Sequence, residues 1–137
     1  IEPDNKIQTP LIWENPSKIE VIEKYSAEYN LDSNLVYSML MCESTLNENA
    51  IGDSGKSKGI SQYNPNTFIR HEKKLGEDLN SDSWHDQIKL MTFALANGMG
   101  NEWTSYRAIK NGGSYTFTNS YTKQVQTIQC NLREIPR

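Results

Sequence analysis

Apolar residues recur at helical spacing along most of this chain, and the few places where the recurrence breaks define its organisation. Ile19, Ile22, Ser26 and Tyr29 follow one another three or four residues apart and predict a first helix. Ser17 and Glu20 form a capping box after Pro16, and Asn30 supplies a stop. Asp32 or Ser33 caps a second helix that runs to Glu43 or just beyond. Leu35, Met39 and Glu43 lie at i, i+4 and i+8 on one face of it, and Val36 and Leu40 widen that face into a core-facing stripe.

The helical period is lost over residues 47–61. Gly52, Gly55 and Gly59, with Asp53, Ser54 and Ser57, are turn formers and predict a short hairpin or small sheet. Asn64-Pro65 restarts a helix, with Asn64 as cap, Pro65 in the first turn, and Phe68 and Ile69 on the buried face. After a polar loop over residues 77–82, a long helix starts from Asp82 or Ser83, with Trp84, Ile88, Met91 and Leu95 on one stripe, and Asn97-Gly98 ends it. A short helix holds Trp103, Tyr106 and Ile109 and stops at Asn111-Gly112-Gly113. The tail reads two ways: Tyr121, Val125, Ile128 and Leu132 suit a helix, while the Thr and Val content suits strand. Residues 1–16, with Pro3 and Pro10, read as an irregular arm, and residues 17–137 as one domain. The expected fold is mainly helical, with a small β excursion directly after Glu43.

Composition narrows the function. With 36% hydrophobic and 23% charged residues over 137 positions, the chain can bury a real core. A net charge of −3 provides no footprint for nucleic acid, and no apolar run is long enough for a membrane span. The same net charge argues against simple charge attraction to an anionic cell wall, so any such binding must be local. The chain opens at Ile1 with no signal peptide, as expected of a processed or trimmed chain. Cys42 and Cys130 suit either one disulfide or two buried thiols. They are too few for a zinc site without well-placed histidines, and His71 and His85 stand apart as surface residues. No metal or other cofactor is expected.

Glu43 carries the candidate chemistry. A carboxyl at the end of an apolar stripe is half buried by its own helix, and desolvation raises its pKa. A carboxylic acid protonated near neutral pH is what cleavage of a glycosidic bond needs as general acid. A Glu near a helix end is more often solvated or capping, so its surroundings decide.

Those surroundings are Glu43-Ser44, Asn47-Glu48-Asn49-Ala50, the run from Gly52-Asp53-Ser54-Gly55 to Gly59-Ile60-Ser61-Gln62, and Asn64-Pro65. Together they resemble the lysozyme-like lytic transglycosylases of the soluble type, over roughly residues 25–113. The resemblance implies a mainly α, α+β lysozyme-like fold. It implies a peptidoglycan glycan strand as partner, a monomer, and action in an extracytoplasmic or phage-associated setting. It also implies Glu43 as the acid that ends its helix, and the Gly59–Gln62 segment on the cleft wall with Gln62 on the sugar. Ser44, Asp53, Gly59, Ser61, Gln62, Tyr63, Trp103 and Tyr106 are the candidate substrate-binding residues. A Gly-rich hairpin lets backbone approach a sugar closely, Gln62 both donates and accepts, and Tyr63, Trp103 and Tyr106 offer flat faces to pyranose rings. The family's Ala-Tyr-Asn motif is absent; Trp103-Thr104-Ser105-Tyr106-Arg107-Ala108 is its nearest counterpart. Ser61 replaces the usual Met before the Gln.

The resemblance implies cleavage by one acid/base, giving a 1,6-anhydro sugar. Asp53 keeps a hydrolytic alternative open, because a hairpin carboxylate can hold water; more often such a residue only shapes its turn. A lysozyme-like module that merely binds glycan or protein is the other alternative, although it has no need of a half-buried acid.

Overall fold

A computed structural model describes residues 17–136. The arm expected over residues 1–16 lies outside the described residues. Five α-helices are present among those described: α1 (Lys18–Glu28), α2 (Ser33–Ser44), α3 (Pro65–Leu75), α4 (Trp84–Ala96) and α5 (Thr104–Lys110). Two antiparallel hairpins accompany them: β1 (Ile51–Gly52) with β2 (Ser57–Lys58), and β3 (Ser114–Thr118) with β4 (Val125–Gln129). The fold is mainly α and lysozyme-like, as the spacing and the resemblance lead one to expect.

The caps act where the sequence puts them. The side chains of Ser17, Asp32, Asn64 and Ser83 accept from the amides of Glu20, Asn34, Asn66 and Asp86. Each satisfies an amide that the first helical turn leaves free, worth about 1 kcal/mol. The apolar stripes of α1, α2 and α4 meet in one core in which Ile22, Val36, Met39, Leu40, Ile88 and Met91 are wholly buried. Each such side chain contributes roughly 1.5–3 kcal/mol relative to exposure. Phe68 of α3 joins this core, but Ile69 stays 47% exposed, one step round the helix from the buried face.

The tail resolves as strand. Ser114 pairs with Gln129, Phe117 with Gln126 and Thr118 with Val125. Alternation decides the outcome: Tyr115, Phe117 and Ile128 are partly buried on one face, and Thr116, Thr118 and Val125 are exposed on the other. The Asn119 side chain accepts from the amides of Tyr121 and Thr122 and closes the turn. Beyond β4 the chain returns along α2. Cys130 forms a disulfide with Cys42, the Arg133 amide donates to Ser38 Oγ at 2.7 Å, and the Ile135 amide donates to Asn34 Oδ1 at 2.9 Å. The second hairpin is thereby tied to the helix that ends at Glu43.

Candidate active site

The Glu43 carboxyl opens into a cleft of about 560 Å³, at the last turn of α2. Asp53, Ser54, Ser57 and Gln62 form one side of it, and Phe117, Asn119, Gln126 and Ile128 of the second hairpin line it too. Glu102, Trp103 and Thr104, at the start of α5, complete the lining.

Burial pushes the Glu43 carboxyl above the usual carboxylate range, against a smaller opposing pull from the hydroxyl and amide of Ser105. Ser105 Oγ is itself buried and meets strict hydrogen-bond geometry with no partner among the described residues. It therefore interacts with the carboxyl without clamping it. The first turn of α5 holds that amide, an arrangement that favours the charged form, and desolvation still outweighs it.

Gln62 is held in a left-handed backbone conformation, with φ 53°. Its Nε2 donates to the carbonyls of Ala50 at 3.1 Å and Gly59 at 2.9 Å. Both donors are thus spent on the hairpin, and the side-chain oxygen is what remains for a ligand. That corrects the expectation of a group free to donate and accept. The oxygen sits so close to Gly52 that a Cβ there would come within 2.4 Å of it, which explains the glycine.

The segment before Gln62 is pinned from three sides. Ser44 Oγ donates to the Ile60 carbonyl at 2.7 Å, and Trp103 Nε1 donates to the Ser61 carbonyl at 3.0 Å. The Ser61 amide donates to Gln87 Oε1 at 2.9 Å. Ser44 and Ser61, expected on the sugar, are both buried and held in these bonds, Ser61 wholly so. Tyr63 is likewise a core residue, packed edge-on against Phe68, His71 and Trp103. Tyr106 is not among the cleft-lining residues; its ring packs under Gly100, where a Cβ would meet it at 2.8 Å. Gly59 lines a separate cleft of about 340 Å³ with Ala50, Trp84 and Gln87. Of the candidates, Glu43, Asp53, Gln62 and an edge of the largely buried Trp103 share the first cleft.

Glu102 was not among the candidates. It accepts from Arg70 through both of its oxygens, and His71 Nε2 lies 3.2 Å from Oε1. The Arg70 bond, more than any other influence, holds the Glu102 carboxyl below the usual range. His71, expected at the surface, is wholly buried, with Nδ1 at 2.8 Å from the Tyr63 hydroxyl. The only sequence signal for Glu102 is its place between a Gly-Asn turn and a buried Trp. Asp53 is an exposed turn residue at φ 55°, and its carboxyl makes no hydrogen bond among the described residues.

The family model for the transglycosylase SLT domain matches residues 20–110, more than half of the chain, and the protein belongs to that family. Its function is accordingly of the lytic-transglycosylase type and related to peptidoglycan, a substrate met outside the cytoplasm. No curated protein matches the sequence. No helix among the described residues is long and apolar enough to cross a membrane.

Proposed function

We propose that this protein cleaves the β-1,4 bond between N-acetylmuramic acid and N-acetylglucosamine without water, with Glu43 as general acid and then general base. The observation that carries the reading is a desolvated carboxyl opening into a cleft beside the fixed Gln62 oxygen. Glu43 donates its proton to the glycosidic oxygen as the bond to the anomeric carbon breaks. The carboxylate then takes the proton of the muramic acid C6 hydroxyl as that oxygen attacks the same carbon. The product is a 1,6-anhydro sugar, and Glu43 ends protonated as it began. Burial, which raises the Glu43 pKa, disfavours the charged form and so supports the acid at both ends of this cycle.

Hydrolysis is the second reading, and the Asp53 carboxyl on the same cleft favours it. Mass spectrometry of products from purified peptidoglycan separates the two. Anhydro-muramic ends are expected; products carrying an added water at a reducing end would overturn the non-hydrolytic scheme.

A further inference from the structure

We propose that the β3–β4 hairpin is the second wall of the glycan groove, with Phe117 as the platform for a pyranose ring and Gln126 as the adjoining donor. This rests on the reading of the cleft as a glycan site. The hairpin lies beyond residues 20–110, the segment matched by the family model.

Phe117 is a half-buried aromatic that belongs neither to the hydrophobic core nor to the residues packed against it. It lines the cleft together with its cross-strand partner Gln126 and with Ile128. Its neighbour on the same face of β3 restrains it: the Tyr115 ring stacks with it at 5.9 Å and 16°, and the Arg107 guanidinium lies 5.4 Å from the Tyr115 ring. Gln126 Oε1 accepts from Asn119 Nδ2 at 3.2 Å, which leaves the Gln126 amide N–H groups without a partner among the described residues. An apolar ring beside an amide donor suits an N-acetylated sugar, which presents a face of C–H groups and an acetamido oxygen.

The wall is fixed at both ends. The disulfide holds its base to α2. At its tip, Lys56 Nζ from the first hairpin donates to the Tyr121 hydroxyl at 2.5 Å and stands 3.8 Å from that ring's centre. The two hairpins therefore face each other over Glu43 at a set separation, a pre-organised groove.

The test measures binding of peptide-free glycan strands to full-length Glu43→Gln protein by calorimetry, and KM and kcat of the otherwise unaltered enzyme. Phe117→Ala is expected to weaken binding and raise KM by about 5–10-fold with kcat little changed. Phe117→Tyr, which keeps the flat ring, is expected to restore both to within about twofold. Val125→Ala, on the opposite face and 70% exposed, is expected to change neither. Wild-type binding and KM in Phe117→Ala would overturn the proposal. Should Phe117→Ala not fold, Gln126→Ala at an exposed position decides: weaker binding supports the wall, and unchanged binding overturns it. If wild-type protein cleaves glycan while these variants match it, only the wall is wrong. If the Glu43→Gln parent binds no glycan and wild type releases no product, the glycan-site reading fails, and the wall with it.

Discussion

Cys42, the residue before Glu43, is bonded to Cys130, the residue after the last strand, so one covalent link joins the end of α2 to the base of the second hairpin. Their Cα atoms are 5.9 Å apart across 88 residues of sequence. The link thus sets where one wall of the cleft stands relative to its carboxyl.

Closing so long a loop removes chain entropy from the unfolded state, worth about 2–4 kcal/mol. The double variant Cys42→Ser, Cys130→Ser is expected to lose about that much stability in urea unfolding. Activity should fall further than stability alone explains, because the hairpin loses its base. A variant with full activity under conditions where it is fully folded would show that the hairpin needs no such anchor.

Glu43→Gln is expected to keep the fold and lose at least about 10²-fold in turnover. It should also stabilise the protein at neutral pH. The folded-state pKa of Glu43 lies above its ordinary value of 4.5, so its contribution to stability is full below that value and is lost as pH rises through the folded pKa. Glutamine removes that loss. The melting temperature of the variant should exceed that of wild type at pH 7, and the gain should shrink towards pH 4. A variant less stable than wild type at pH 7 would contradict the desolvated acid.

His71 and Glu102 bend the acid side of the same curve in the opposite direction. Burial, the largest influence, holds His71 below its ordinary 6.5, against the pull of Glu102. Below about pH 6.5 the unfolded chain takes up a proton that the folded chain refuses, so stability falls as pH drops from there towards the folded value. Glu102, depressed chiefly by Arg70, adds a further loss as pH falls below 4.5. Urea unfolding followed from pH 7 to 5 should show the first decline, and His71→Gln should flatten it if the variant folds. An NMR titration of His71 in the folded protein checks the cause independently; a midpoint at or above 6.5 would remove it.

What the sequence made legible follows from range. Caps and stripes are local, so α1 to α5 can be read from Ser17, Asp32, Asn64 and Ser83 and from apolar spacing. Glu43 and Gln62 can be read because a short, turn-rich segment links them. The burial of Tyr63, Ser61 and Ser44 is not legible in sequence, because a polar or aromatic residue beside a motif looks the same whether it faces the cleft or packs behind it. Only the packing against Trp103, His71 and Gln87 separates the two cases. Phe117 and Glu102 were out of reach for the opposite reason. A disulfide and a turn bring them to Glu43 from far along the chain, and neither lies in a motif.

Asp53 and Glu102 are two further acidic residues on the cleft, and they differ in what holds them. Both Glu102 oxygens are engaged by Arg70, which leaves it a poor base. Asp53 is exposed and without a hydrogen bond, so its carboxylate remains available. If the reaction is non-hydrolytic, Asp53→Asn keeps turnover within a few-fold of wild type, and the products retain anhydro ends. If Asp53 orients a water, the same change costs on the order of 10²-fold with the fold intact. Folding of the variant is checked by its urea midpoint, which should move little because an exposed turn position at φ 55° accepts Asn as readily as Asp. A 10²-fold loss at an unchanged midpoint, with reducing-end muramic acid in the wild-type products, would make the enzyme a hydrolase that uses Glu43 and Asp53 together.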